Sequence, residues 1–139
     1  MIALPPELHA ALRANAAASR AADPDADRFD PVPVIKLFNP LGAATWLATE
    51  LHDDGDTLFG LADLGFGCPE LGTFSLSEIR RIHLPFGLRI ERDTLFCTNF
   101  RLSVWADWSR RSGSILWAET FLNRVALARA ATGLPAERE

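Results

Sequence analysis

The stretch from Val34 to Phe96 constrains this chain most, because its apolar runs are short and each is closed by turn residues. Thr45 to Leu51 alternates, with Leu47, Thr49 and Leu51 on one face and Trp46, Ala48 and Glu50 on the other, which predicts a strand. His52-Asp53-Asp54-Gly55-Asp56 then reads as a hairpin turn in which Gly55 supplies the positive φ. A histidine beside aspartates also suggests a metal, but consecutive residues of a turn do not preorganise one. Val34–Phe38, Thr57–Leu64 and Glu70–Phe74 have strand length, and Thr94 to Thr98 is a candidate last strand. No helix directly follows the glycine-rich connection Gly65-Phe66-Gly67-Cys68-Pro69, so a phosphate-binding loop is not supported.

Helical signals flank these runs. Pro5-Pro6-Glu7 opens a first helix with a narrow stripe of Leu8, Ala11, Leu12 and Ala16, expected to dock on the edge of the domain. Asp23-Pro24-Asp25-Ala26-Asp27 is a linker; Arg28 stands where a calcium loop needs glycine, and Val34 where it needs the closing glutamate. Ser75-Leu76-Ser77-Glu78 is a capping box for a short helix with Leu76, Ile79, Ile82 and His83 inward, ended by Pro85 and Gly87. Leu102, Trp105, Ala106 and Ser109 mark the inner face of another helix. After Gly113 a last helix runs from Ile115 to about Thr132, with Leu116, Phe121, Leu122, Val125 and Leu127 to Leu134 as its apolar positions. The expected fold is α+β: a mostly antiparallel four- to five-stranded meander with helices on one face and at both ends. It forms one domain over 1–139, with a sheet-rich core at 33–99, C-terminal helices at 101–134 and a frayed tail at 135–139.

The 48% apolar content is that of a globular chain able to bury a core without disulfide or metal. Cys68 and Cys97 match no ligand spacing and are expected to be buried free thiols. The start lacks a signal-peptide pattern and no run reaches membrane-spanning length, so a cytoplasmic location is expected. The net charge of −4 is uneven. Residues 1–79 hold 4 basic against 12 acidic side chains, whereas residues 80–111 hold 7 arginines against 3 carboxylates. That third of the chain is suited to an acidic partner or an anionic ligand.

Six short motifs, Lys36–Pro40, Thr45–Glu50, Phe59–Gly65, Cys68–Gly72, Phe74–Ile79 and Ile90–Phe96, together resemble the bacterial domain-of-unknown-function family 2958 in order and spacing. The resemblance runs from the proline-led helix to about Ile115. It implies a gene carried on plasmids and other mobile DNA and transfers no activity. Leu116 to Glu139 departs from the family and reads as an added helix.

The polar motif positions are Lys36, Thr49, Glu50, Asp63, Glu70, Glu91, Arg92 and Asp93. Glu50, Asp63, Glu70, Glu91 and Asp93 would be the acid–base or Mg²⁺ set of a hydrolase or nuclease-like enzyme if they converged. Strand parity argues against convergence, and the preferred reading makes Arg92 an ion-pair clamp for one or more carboxylates. No Ser-His or Cys-His pair is apparent, so no catalytic residue, metal or cofactor is assigned. Trp105 and Trp108 are three apart on one helix, flanked by Arg101, Arg110 and Arg111, with Trp117 and Phe121 on the next. The candidate binding residues are Arg92, Trp105, Trp108, Arg110 and Arg111. The leading expectation is a non-enzymatic accessory protein of a mobile element that contacts a host or element protein, with an anti-defence role to be tested first. A nucleic-acid accessory using Arg80, Arg81, Arg110 and Arg111 with Trp105 or Trp108 is the weaker alternative.

Overall fold

Strand β2 (Thr45–Leu51) forms the middle of a five-stranded antiparallel sheet, and every residue in it is buried. Around it lie β1 (Ile35–Phe38), β3 (Thr57–Asp63), β4 (Glu70–Ser75) and the two-residue β5 (Glu91–Arg92), in the order β4-β3-β2-β1-β5. The computed structural model describes residues 2–22 and 29–133. The Asp23–Asp27 linker, Leu134 and the 135–139 tail lie outside the described residues. The expected α+β class and open antiparallel meander are present. The last strand is Glu91–Arg92 rather than Thr94–Thr98; its backbone pairs with Phe38 and Leu37 of β1.

Helices cover both faces of the sheet, and two separate apolar clusters show it. One holds Leu12 of α1 (Pro6–Ala21), Leu76 and Ile79 of α2 (Leu76–Arg80), and Ile35, Leu37, Trp46, Ala48, Leu51 and Leu58 from the strands. The other holds Leu47 and Leu61 with Leu102, Trp105 and Ala106 of α3 (Leu102–Ser112) and Ile115, Ala118 and Leu122 of α4 (Ile115–Ala131). Helix α1 therefore does not dock on an edge. It packs on β2, where Asn15 Nδ2 donates to Thr49 O at 2.9 Å and Arg13 Nη1 to Leu51 O at 2.6 Å.

Simple alternation fails within β2 at a bulge. Ala48 pairs with Gly60 and Glu50 with Phe59, which leaves Thr49 as the extra residue. Leu51 consequently joins Trp46 and Ala48 in the first cluster instead of Leu47 in the second. Gly60 makes the close approach possible: a Cβ built there would lie 1.8 Å from Leu47 O.

Local caps explain the element ends. Ser75 Oγ accepts from Glu78 N at 3.1 Å, and Asp56 completes the cap by accepting from Ser77 N at 2.6 Å and Ser75 Oγ at 2.8 Å. Helix α2 stops at Arg80, so His83 is exposed rather than inward, and Pro85–Gly87 forms a separate short 3-10 turn. Helix α3 starts under Asp30, which accepts from Ser103 N at 3.0 Å. It buries the four residues its pattern predicts and ends at Gly113, φ 90°. In α4 the inward residues are Ile115, Ala118 and Leu122, while Leu116, Phe121 and Leu127 are exposed, against the expected stripe. Both cysteines are free, but exposed, also against expectation.

Candidate functional site

The five candidate carboxylates go to different places. Asp63, fully buried at the end of β3, accepts from Ile115 N at the start of α4 and from Gly65 N, both at 2.9 Å. A carboxylate at a helix N-terminus satisfies free N–H groups and meets the positive end of the dipole, which makes it a structural link between sheet and α4. Asp93 and Glu119, on α4, both approach Lys36 of β1, at 3.5 and 2.7 Å from its Nζ. Lys36 is buried, so this triad is the internal ion pair of the domain. Glu70 and Glu91 are exposed on the two edge strands. Glu50 is buried beside α1. Among the described residues, no three His, Cys, Asp or Glu side chains form a metal-holding group.

The arginine expected to be the clamp does something else. Arg92 Nε donates to Ala3 O at 3.0 Å, and no ion pair of Arg92 occurs among the described residues. Arg80 is bound through its Nε and Nη2 to Ile2 O, at 3.3 and 3.1 Å. It belongs to α2 on one face of the sheet, whereas Arg110 and Arg111 belong to α3 on the other, so the four arginines do not line up. Arg81 is exposed.

The aromatic residues divide in a more informative way. Trp105 is only 2% exposed and donates its Nε1 hydrogen to Thr98 Oγ1 at 3.2 Å; it packs the core and presents no contact surface. Trp108 is partly exposed and stacks on Phe121 of α4 with ring centroids 4.1 Å apart. The Arg111 guanidinium lies 5.1 Å from the Trp108 ring and pairs with Asp107 at 3.2 Å. One turn before Phe121, Trp117 is 67% exposed. Leu116 and Trp117 border a shallow groove of about 600 Å³ with Ala43, Gly65, Gly67 and Thr120. Phe66, between those glycines, is 82% exposed. A second outlying point is Phe86, almost wholly exposed with φ 64°, a backbone region a side chain enters only against strain. Neither Phe66 nor Phe86 was marked by periodicity, because a lone aromatic in a glycine-containing turn has no pattern to belong to.

Helix α1 and the β2–β3 hairpin enclose a cleft of about 430 Å³ lined by Ala16, Ser19, Arg20, Glu50, His52, Asp53 and Asp54. Asp53 is held by Arg20, at 2.6 and 2.9 Å, and by Arg13 at 3.0 Å. Those hydrogen bonds lower its pKa to about 2. Asp54 accepts from Asp56 N, Thr57 N and Thr57 Oγ1, which likewise lowers it to about 2. Glu50 differs: loss of solvent raises its pKa, and the His52 charge and Ser19 hydroxyl only partly oppose that.

The sequence profile of a family described as a protein of unknown function, DUF2958, matches residues 3–116. The chain belongs to that family. Neither a curated protein nor a solved structure gives a significant match. The DUF2958 match takes in the whole sheet, the Glu50 cleft, Lys36 and Asp93, and it stops one residue before Trp117. Glu119, which pairs with the buried Lys36, and the exposed Trp117 and Phe121 stand beyond it.

Proposed function

We propose that this DUF2958 protein is a non-enzymatic binding protein that engages another protein through the outer face of α3 and α4. The observation that carries the reading is the exposed aromatic surface of Trp117 and Phe121, continued by Trp108 and bordered by Arg111, with Arg110 exposed on the same helix and Phe66 exposed between two glycines that line the Trp117 groove. Large aromatic side chains beside arginine, around a shallow apolar groove, are the composition of interaction hot spots. A protein partner is preferred to nucleic acid because Arg80 and Arg81 lie across the sheet from this surface and the net charge is −4. No helix among the described residues is long and apolar enough to cross a membrane. The setting we propose is the cytoplasm of a bacterium carrying a mobile element. Within it, the host or element partner includes a defence protein as the first target to test; this rests on the family resemblance.

The test compares proteins co-purified from the native host, by quantitative mass spectrometry, with wild type and with a Phe66→Ala/Arg110→Ala/Trp117→Ala variant. All three side chains are exposed, so melting should be unchanged while a specific partner is lost. A partner retained at full yield by the triple variant would move the interface elsewhere, with Phe86 the next place to look.

A further inference from the structure

The geometry points to the cleft between α1 and the β2–β3 hairpin as a binding site for an alkylammonium group, with Glu50 as its anionic anchor. This goes beyond the protein-binding surface, since α1 packs on the opposite face of the sheet from α3 and α4.

The argument begins with which charges are already committed. Arg13 and Arg20 both bind Asp53, and Arg13 also donates to Leu51 O. Asp54 spends its oxygens on three donors of its own turn. Glu50 is the remaining anion, only 8% exposed, and no cationic side chain lies within ion-pair distance of it among the described residues. A partly desolvated carboxylate without an ion-pair partner is disfavoured, and an arriving cation offsets that.

The lining narrows the cation to one type. The Glu50 carboxylate and the Ser19 hydroxyl supply acceptors suited to the N–H donors of an ammonium, with the His52 ring beside them. Ala16 and the aliphatic stem of Arg20 give a wall for a short alkyl chain. The volume of about 430 Å³ accepts a group of side-chain size. Such a group is carried by a free amine or by a lysine of a bound protein.

The site has a pH signature with a defined sign. The cation needs ionised Glu50, so affinity should fall about tenfold per pH unit below the Glu50 pKa and level off above it. The charged groups around Glu50 are Arg13 and Arg20 from α1 and His52, Asp53 and Asp54 from the turn. His52 stands beside the carboxylate in the cleft lining, so a His52→Gln variant separates its part.

The experiment is NMR titration of the full chain with n-butylammonium and, in a second arm, with a short lysine-containing peptide, at constant ionic strength. We expect saturable shifts confined to Ser19, Glu50, His52 and their neighbours, loss of binding by at least tenfold in Glu50→Gln, and a fall in the Glu50 pKa on saturation. Tighter binding of the peptide would mark a partner's lysine as the source, and equal binding a free amine. Absence of saturable shifts, an unmoved Glu50 pKa in wild type, or unchanged affinity in a folded Glu50→Gln protein would overturn the proposal. None of these readouts involves Trp117, so failure here leaves the protein-binding surface standing.

Discussion

Replacing Glu119 by leucine should destabilise the domain through a residue it leaves untouched, Lys36. The Lys36 Nζ lies 2.7 and 2.9 Å from the two Glu119 oxygens and 3.5 Å from Asp93. Its side chain is 9% exposed, against 22% for Glu119 and 29% for Asp93, so the cation is the group least able to return to water. Removing one partner of a fully buried pair costs about 3–5 kcal/mol. Here Asp93 remains within reach and Glu119 is partly hydrated, so we expect about 2–4 kcal/mol. For 139 residues this corresponds to a melting temperature lower by roughly 6–20 °C. Lys36→Met paired with Glu119→Leu removes both charges and should come back to within about 1 kcal/mol of wild type. Urea denaturation of wild type, Glu119→Leu, Lys36→Met and the double variant gives the coupling energy directly. Equal destabilisation in the single and double variants would show that the lost term is packing of α4, not an unpaired buried charge, and would refute the reasoning.

Three further outcomes follow from the same geometry. Gly60→Ala places a methyl against the Leu47 carbonyl at the β2 bulge, so it should cost at least the ~1–3 kcal/mol of ordinary overpacking, read as a lower denaturation midpoint; a midpoint within error of wild type would remove the close approach. Arg92→Ala loses one exposed hydrogen bond to Ala3 O and should change stability by no more than about 1 kcal/mol by calorimetry, far below what a buried clamp would give. Asp53 and Asp54, with folded pKa values of about 2 below their ordinary 3.8, contribute stability that is present above pH 3.8 and lost as pH falls towards 2, whereas Glu50, raised from 4.5, works against the fold as pH rises. Acid unfolding of wild type should therefore steepen below pH 3.8, and Glu50→Gln should raise the melting temperature at pH 7 but not at pH 4.

Strands, turns and α3 were legible because each is fixed by residues close in sequence. Gly55 at φ 69°, the Ser75 cap and the 102/105/106/109 stripe each depend on a few neighbours. What was missed depends on contacts far along the chain. The bulge that sends Leu51 to the other face comes from Gly60 allowing β3 to approach β2, and alternation within β2 cannot reveal it. The buried cation is Lys36 rather than Arg92 because its countercharge, Glu119, stands 83 residues away. Cys68 and Cys97 have apolar neighbours in sequence, but both fall in segments between elements, where such neighbours bury nothing. The α4 stripe misled because apolar residues surround that helix, and only the sheet beneath selects Ile115, Ala118 and Leu122. The Glu50 cleft was equally hidden, since Ser19 and His52 meet it only when α1 lies across the hairpin.

Helix α4 joins the two levels of this molecule. Its inward side is constrained by the matched part of the chain: Ala118 and Leu122 close the core begun by Leu47 and Leu61, and Glu119 neutralises Lys36. Ile115, whose N–H is held by Asp63, and the partly buried Val125 and Ala126 belong to the same inner side. Its outward side, Trp117 and Phe121, is less constrained: Trp117 is mostly in water, and the exposed Phe121 stacks on Trp108 of α3. Exposed aromatic side chains raise the tendency to associate and contribute little to a monomer's stability. A helix with a fixed inner side and a free outer one lets recognition vary without disturbing the sheet. That separation is why we centre partner binding on Trp117 and Phe121 beyond the DUF2958 match, with α3 and Phe66 adding the part of the surface inside it, while the charged cleft at Glu50 lies wholly inside.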